Sequence, residues 1–193
     1  MLSNLKKYQV VLASKSPRRQ ELLRGMGVDF TIRTKETDES FPPEMPLDEV
    51  PKYLSLRKSL AFNDKELPAN YLLITSDTVV ICEGEILGKP KDRGDAERML
   101  RLLSGKTHHV VTGVTVRSAE KTESFAVRSN VTFADLEQDE IDYYIDNCKP
   151  FDKAGAYGIQ EWIGYVGISG LEGSFYNVMG LPTRKLFQCL KAF

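Results

Sequence analysis

Residues 9–23 read QVVLASKSPRRQELL and contain a strand, a tight loop and the start of a helix. The first five residues form a short β-branched run that is typical of a β-strand. Ser16 is a natural helix N-cap and Pro17 is a natural first helical residue. Gly25 or Gly27 provides a signal that ends the helix. The stretch therefore predicts a strand–loop–helix unit, the first element of an α/β fold.

The remaining chain mixes strand-like and helix-like segments. Strands are predicted over 29–34, 71–82, 109–117 and 124–133, with a hairpin return through 86–87, and helices over 48–62, 92–103, 137–147 and 182–193. The segment 155–180 is rich in glycine, which is unlike a helix and predicts close backbone packing or the approach of a ligand. This mixed order predicts an α/β fold with a mixed sheet. Residues 1–193 show no repeat or clear linker and are predicted to form a single domain.

Composition excludes several classes of protein. The 193 residues are 41% hydrophobic and 27% charged, which matches an ordinary globular protein. The formal charge of −1 argues against stable nucleic-acid binding. No apolar run is long enough to span a membrane, and the N-terminal run is too short for a signal peptide. The three cysteines form no C-x-x-C pair, which favours free thiols in a reducing cytoplasm.

The two adjacent histidines are weak candidates for catalytic residues. His108 and His109 stand together before the stretch VVTGVTV, at the edge of the predicted strand, and no serine or cysteine nucleophile pattern accompanies them. We interpret both as structural or solvated residues.

The first candidate site is an anion-binding loop at residues 14–19, SKSPRR. A helix N-terminus carries unpaired N–H groups and positive partial charge, both of which attract anions. Ser14 and Ser16 add hydroxyl donors, and Arg18 and Arg19 offer forked, permanently charged contacts to phosphate oxygens. The alternative is a capped helix with solvated arginines, but the clustering of serines and arginines favours the anion site.

The second candidate is Asp77, a single carboxylate within the apolar run LLITSDTVV. Burying an unpaired carboxylate is costly, so such a group is usually paired, bound to a metal or placed at a cleft. The alternative is an aspartate that bonds to a neighbouring turn. Lys58, on the preceding helix, and Lys89, in a Gly-Lys-Pro turn, supply cations. Together with the arginines they suggest a site for a triphosphate and a metal ion.

A Walker-type phosphate loop is disfavoured. The closest match to its G-x-x-x-x-G-K-[ST] pattern is GEILGKP at residues 84–90, which is one residue short and ends in proline.

Three segments resemble the Maf family of nucleotide pyrophosphatases. They are LASKSPRRQELL, TSDTVV followed by GKP, and DKAGAYGIQ, and they occur in the order and spacing of the family. The resemblance implies a two-lobed α/β fold around a mixed, twisted sheet with a nucleotide-binding cleft. It also implies cleavage between the α- and β-phosphorus of a nucleoside triphosphate, dependent on a divalent cation, Mg²⁺ or Mn²⁺.

The same resemblance assigns roles to particular residues. Asp77 matches the family's general base, and Glu39, in the sequence TDES, resembles an acidic residue near the metal. The phosphate-binding positions correspond to Ser14, Arg18, Arg19, Lys58 and Lys89.

The choice of nucleobase depends on a smaller set of residues. Arg18, Thr78 and Gln160 resemble the branch that acts on dTTP and UTP, whereas the 7-methyl-GTP branch carries tryptophan in place of Arg18. Glu161 departs from the glycine expected after GIQ. It places an additional carboxylate beside the glutamine that would contact the base.

Two other functions remain open at the level of the sequence. One is a pyrophosphatase for modified or non-standard nucleotides, which would need the same phosphate-binding residues. The other is a non-catalytic nucleotide-binding regulator of cell division, although a pure binder would gain nothing from Asp77 facing a triphosphate. In either case the expected partner is a nucleotide rather than a nucleic acid or a membrane, and assembly as a homodimer is left open.

Overall fold

The computed structural model describes residues 2–193. The strands are β1 Gln9–Leu12, β2 Thr31–Ile32, β3 Tyr71–Cys82, β4 Glu85–Leu87, β5 Thr107–Arg117, β6 Thr122–Phe133 and β7 Ile168–Glu172. The α-helices are α1 Pro17–Gly25, α2 Val50–Leu60, α3 Arg93–Leu103, α4 Gln138–Cys148, α5 Trp162–Val166, α6 Phe175–Val178 and α7 Thr183–Leu190. Short 3₁₀ helices lie at Ser3–Lys7, Leu47–Glu49, Asp64–Glu66 and Ala154–Ala156.

The strands form one mixed sheet in the order β2-β1-β3-β5-β6-β7, and β4 pairs with β3. β1 runs parallel to both β2 and β3. β4 is antiparallel to β3, and β7 is antiparallel to β6. The α/β fold with a mixed sheet is therefore confirmed.

Contacts divide the chain into two compact units. The first unit comprises residues 1–77, 112–127 and 180–193, and the second comprises residues 78–111 and 128–179. The division falls within β3, β5 and β6. The predicted single domain over residues 1–193 and the predicted nucleotide-binding cleft stay predictions.

Each unit has its own buried apolar cluster. In the first unit, Val11 and Leu73 of adjacent parallel strands pack with Phe62, Leu67 and Tyr71. The larger cluster of the second unit is built from β3 to β6, α3, α4 and the segment that begins at the Ala154–Ala156 turn. Its fully buried members include Leu87, Leu100, Leu103, Ile141, Tyr144 and Ile163.

Element bounds follow the predictions closely where local signals are strong. β3 has the predicted bounds, and β5, β6, α3 and α4 differ from theirs by one or two residues. The predicted strand over 29–34 is reduced to two residues, because only Thr31 and Ile32 pair with β1 before the chain leaves the sheet. The predicted helix over 48–62 starts as the 3₁₀ turn Leu47–Glu49 before α2.

The glycine-rich segment contains structure that the sequence did not predict, namely α5, β7 and α6. The predicted close packing is confirmed. A Cβ on Gly164 would overlap the carbonyl oxygen of Ile159, and a Cβ on Gly155 would lie 3.0 Å from the Val80 side chain. Gly155 also has a φ of 69°, a conformation that glycine adopts at little cost.

His108 is a core residue, in agreement with its structural interpretation. It is fully buried, its Nε2 is 2.7 Å from the Tyr157 hydroxyl, and its ring packs edge-on against Phe133. His109 is partly buried, and its Nδ1 lies 2.9 Å from Asn130 Oδ1. Cys82, Cys148 and Cys189 are all free thiols. Within residues 2–193, no helix is long and apolar enough to cross a membrane.

Candidate active site

The loop between β1 and α1 is held by its own serines. Ser16 caps α1 by accepting a hydrogen bond from the Arg19 amide, with Pro17 as the first helical residue. Ser14 is buried, and its hydroxyl oxygen accepts from the Ser16 amide at 3.2 Å. Gln20 Nε2 donates to the Ser14 carbonyl at 3.3 Å. The cap predicted from the sequence is therefore confirmed, and it fixes the start of the helix that carries Arg18 and Arg19.

Arg19 is oriented by a residue that the sequence did not reveal. Its Nε donates to the carbonyl oxygen of Gly180 at 2.8 Å, and the Ser76 hydroxyl donates to the same oxygen at 3.3 Å. Burial lowers the pKa of Arg19, and the Asp77 carboxylate opposes that effect. Arg18 also lowers this pKa, while Glu39 raises it. The electrostatic potential at Arg19 is therefore set by the cation of Arg18 and the carboxylates of Asp77 and Glu39.

The register between α2 and β3 brings Lys58 to Asp77. Thr75 and Asp77 share one face of the strand, and Ser55 and Lys58 lie one turn apart on the helix. Thr75 Oγ1 donates to the Ser55 carbonyl at 2.7 Å, and Lys58 Nζ donates to Asp77 Oδ1. The same alignment of α2 along β3 therefore brings Ser55 to Thr75 and Lys58 to Asp77.

The close approach of α2 to β5 requires a glycine. A Cβ on Gly113 would overlap the backbone of Pro51, in the first turn of the helix. The Ser55 hydroxyl also lies 2.9 Å from the Thr115 hydroxyl on the same strand. α2, which carries Lys58, is therefore fixed against the sheet by backbone packing and by buried hydrogen bonds.

Lys58 joins the two predicted acidic residues. Its Nζ contacts Asp77 and also lies 2.8 Å from Glu39 Oε1. The Asp77 side chain is 13% exposed, whereas that of Glu39 is 64% exposed. The neighbouring Arg57 donates to the Ser40 carbonyl at 2.7 Å, which ties the loop beside Glu39 to α2. Two carboxylates, one nearly buried and one open to solvent, thus converge on one ammonium group.

This pair of carboxylates suits a hard divalent cation. Mg²⁺ is usually held by one or two carboxylates, with substrate phosphates and water completing its coordination. Asp77 and Glu39 already share a cationic partner in Lys58, so their oxygens lie within reach of one positive charge. Among residues 2–193, no group of three or more His, Cys, Asp or Glu side chains could hold a metal ion. A metal here would therefore depend on oxygen ligands from the substrate and solvent.

The other predicted site residues belong to the second unit. Thr78 follows Asp77 in β3, Lys89 is exposed in a bend after β4, and Gln160 lies in a turn before α5. Gln160 Oε1 is buried and has no hydrogen-bond partner among the described residues. The Gly155 amide donates to the Gly88 carbonyl at 3.0 Å, so the GKP and DKAGAYGIQ segments meet in this unit. The assignment of these three residues to a common site with Asp77 stays a prediction.

Glu161 is paired with two residues that the sequence did not single out. Lys153 Nζ lies 3.0 Å from Glu161 Oε1, and the Tyr144 hydroxyl donates to Glu161 Oε2. Lys153 is 7% exposed and Tyr144 is fully buried. The sequence offered one signal for the pairing of Lys153 with a carboxylate. A lysine within the apolar, glycine-rich segment DKAGAYGIQ is expected to be buried, and a buried ammonium group needs an anionic partner.

A family model described as Maf-like protein matches residues 9–193. This chain belongs to the Maf family. A Bacteroides thetaiotaomicron protein named dTTP/UTP pyrophosphatase is 52% identical to this Maf chain over 192 residues, covering 99% of each. Proteins of the same name from Porphyromonas gingivalis and Parabacteroides distasonis are 53% and 50% identical, covering all of this chain and 98% and 100% of their own lengths.

Proposed function

We propose that this Maf chain hydrolyses nucleoside triphosphates to the nucleoside monophosphate and pyrophosphate, with a preference for dTTP and UTP. The observation that carries the proposal is the cluster in which Lys58 joins Asp77 and Glu39 within the electrostatic reach of Arg19. The names of relatives that share about half of their residues across the whole chain supply the substrate class. The intact Asp77 favours an enzyme over a passive nucleotide binder.

The cations of the site would bind the phosphate groups. Arg18 and Arg19 lie in the first turn of α1, where the helix N-terminus adds positive partial charge. In the proposal these arginines, Lys58 and Lys89 neutralise the charge that builds up on the departing pyrophosphate. Ser14 contributes a polar group at the same strand-to-helix loop. Most of the acceleration would then come from positioning and electrostatics.

Asp77 would act on the attacking water. In the proposal it orients the water and accepts its proton, the new bond joins the water oxygen to the α-phosphorus, and the bond from that phosphorus to the bridging oxygen breaks. Pyrophosphate leaves, and the nucleoside monophosphate remains. Glu39 and Asp77 would hold Mg²⁺ or Mn²⁺, which when bound withdraws charge from phosphate oxygens.

Gln160 would contact the nucleobase. Its Oε1 is a buried acceptor without a partner among residues 2–193, and leaving such a group unsatisfied is costly. Thymine and uracil present an N3–H donor that can satisfy it, whereas cytosine presents an acceptor at that position. Glu161 is already paired with Lys153 and Tyr144, so its carboxylate does not compete for the base in this arrangement. Arg18 and Thr78 complete the resemblance to the dTTP and UTP branch.

The test is pyrophosphate release from a panel of triphosphates with Mg²⁺ or Mn²⁺. The panel should include dTTP, UTP, CTP, ATP, GTP and modified nucleotides. We expect kcat/KM for dTTP and UTP to exceed that for ATP and GTP by at least roughly tenfold, because a matched base hydrogen bond discriminates strongly. A preference for CTP or a purine nucleotide would refute the assignment of dTTP and UTP, but the proposed pyrophosphatase reaction would still stand. Binding without release of pyrophosphate would favour the regulator and overturn the proposal.

The proposed substrate and the free thiols support a cytoplasmic setting. We place the enzyme in the cytoplasm, where a reducing environment keeps three free cysteines reduced.

A further inference from the structure

Gln160 is carried by a tight turn whose ends are both tied to one hydroxyl group. The Glu161 amide donates to the Gly158 carbonyl at 2.9 Å, which closes a four-residue turn with Gln160 at its third position. The Gly158 amide donates to the Tyr144 hydroxyl at 2.9 Å, and that hydroxyl donates to the Glu161 carboxylate. Tyr144 therefore bridges the first and last residues of the turn.

The bridging hydroxyl is held in its role by its surroundings. Tyr144 is fully buried, and burial together with the hydrogen bond to Glu161 raises its pKa far above the ordinary value. It therefore stays protonated and keeps donating to the carboxylate. Ile159, the second residue of the turn, is itself buried in the same apolar cluster, which anchors the middle of the turn.

The Glu161 carboxylate is fixed at both of its oxygens. Tyr144 occupies Oε2, and the nearly buried Lys153 ammonium occupies Oε1 at 3.0 Å. The carboxylate also folds back over the turn, because a Cβ on Gly158 would lie 3.0 Å from Glu161 Cδ and 3.1 Å from Lys153 Cε. The cluster fills the space above Gly158 and leaves the turn little freedom to move.

The cluster does not itself contact the acceptor of Gln160. The amide oxygen of Gln160 has no partner among the described residues, whereas Tyr144 and Lys153 both bind Glu161, and Lys153 also contacts Asp152 at 2.7 Å. The backbone on either side of Gln160 is thus fixed, while its buried side-chain acceptor takes no part in the cluster. Such an arrangement is expected of residues that support a recognition group rather than of the group itself.

We propose that Glu161, acting through Tyr144 and Lys153, is a positioning residue that sets the base specificity of Gln160. The inference rests on the proposed function, since it assigns Gln160 to the nucleobase. A fixed Gln160 acceptor forms a hydrogen bond only with a base that has a donor at the matching position. A mobile side-chain amide could instead turn and bind bases with other patterns of donors and acceptors. Loosening the contacts among Tyr144, Lys153 and Glu161 would therefore lower kcat/KM for a matched base more than for a poorly matched base, and selectivity would fall.

The test compares Glu161→Gln and Tyr144→Phe with the control Glu85→Gln. Glu85 pairs with Arg98 at 3.2 Å on the exposed surface of the same unit, so the control also removes one salt bridge. Tyr144→Phe keeps the buried ring and removes only the hydroxyl group. Two quantities are measured for each variant: hydrogen exchange of the Gly158 and Glu161 amides, and kcat/KM for dTTP and CTP.

We expect both test variants to speed amide exchange at Gly158 by at least roughly tenfold, because the turn opens more readily. The ratio of kcat/KM for dTTP to that for CTP should fall by roughly fivefold, mainly through a higher KM for dTTP, as for the loss of one hydrogen bond. The control should change neither quantity.

If amide exchange at Gly158 is unchanged in the two variants, Tyr144 and Glu161 do not hold the turn, and the proposal is overturned whatever the activity. Faster exchange with an unchanged ratio would overturn the specificity role and leave a structural one. Parent protein that cleaves no triphosphate would instead overturn the proposed function, and the specificity role with it, while exchange would still report whether the cluster holds the turn.

Discussion

At the scale of single residues, Lys58 is the group around which the acidic side chains are arranged. Its ammonium contacts the nearly buried Asp77 and the exposed Glu39 at once. An unpaired carboxylate on a central strand is costly to bury, and the contact with Lys58 gives Asp77 a partner of opposite charge. Asp77 also interacts electrostatically with Arg19, in the first turn of α1.

Asp77→Asn tests the catalytic assignment. The amide preserves the shape of the side chain and can still accept a hydrogen bond from Lys58, but it cannot take a proton from water. We expect kcat to fall by about two to four orders of magnitude, the range for a lost general base. Nucleotide binding by calorimetry should persist. Asp64→Asn, at an exposed carboxylate that pairs with Arg117, serves as the control. Near-normal turnover of a folded Asp77→Asn protein would sink the assignment.

Arg19→Ala tests the phosphate contacts. The guanidinium is oriented by the Gly180 carbonyl, so it is held in place before any ligand binds. We expect triphosphate binding to weaken about tenfold or more, as for the loss of a charge-assisted hydrogen bond. Binding of the monophosphate product should weaken less, because the product lacks the β- and γ-phosphates. Arg24→Ala, on the same helix, controls for lost charge. Equal losses for both ligands in calorimetry would show that Arg19 does not hold the distal phosphates.

At the scale of elements, the packing of α2 on β3 and β5 and the 158–161 turn use the same principle. In each, a glycine permits close approach and polar groups then fix the register. Gly113 admits the first turn of α2, and Thr75 and Asp77 bond to residues one helical turn apart. Gly158 admits the Glu161 carboxylate, which Tyr144 then holds.

Gly158→Ala should reveal this second packing arrangement. The added methyl group presses on Glu161 and Lys153, side chains that hydrogen bonds hold in place, so we expect a loss of about 1–3 kcal/mol in the free energy of unfolding. In a Glu161→Gly background the same substitution should cost less, by about 1 kcal/mol, because its main neighbour is gone. Denaturant melts of the four proteins measure the coupling. Gly25→Ala, where a Cβ would meet nothing within 4 Å, is the control. Additive effects would contradict the packing argument.

At the scale of the whole molecule, stability at mildly acidic pH depends on a buried histidine. Burial, with a smaller effect from His109, lowers the pKa of His108 to about 3. The unfolded chain takes up a proton near pH 6.5, whereas the folded protein does not. Stability contributed by neutral His108 is therefore fully present above pH 6.5. It is lost progressively as the pH falls from there towards 3.

His108→Gln should remove this component of the pH dependence. Between pH 7 and pH 5, we expect His108 to cost the parent protein about 2 kcal/mol in the free energy of unfolding, from a proton bound only by the unfolded state. The variant should be less stable at pH 7, since it disturbs the contact with Tyr157, but it should lose less on acidification. Denaturant titrations at the two pH values give the difference. Equal losses in parent and variant would refute the assignment, and His109→Gln measures the contribution of the neighbouring ring.

The sequence by itself determined the local elements and the candidate chemistry. The Ser16 cap, the bounds of β3 and the hairpin into β4 follow from hydrogen bonds and periodicity among near neighbours, which local residues control. The presence of Asp77, Lys58 and the two arginines could likewise be predicted, because their residue types suit phosphate chemistry. The family membership rested on the same motifs.

Only the tertiary structure decided which distant groups meet. Arg19 and Gly180 are 161 positions apart, and no local signal pairs a guanidinium with that carbonyl. The convergence of Glu39 and Asp77 on Lys58 depends on the packing of α2 on the sheet. The partners of Glu161 depend on how α4 meets the glycine-rich segment, where α5, β7 and α6 are stabilised by contacts rather than by intrinsic propensity. Such contacts arise from long-range burial and register, which a local pattern of residues does not encode.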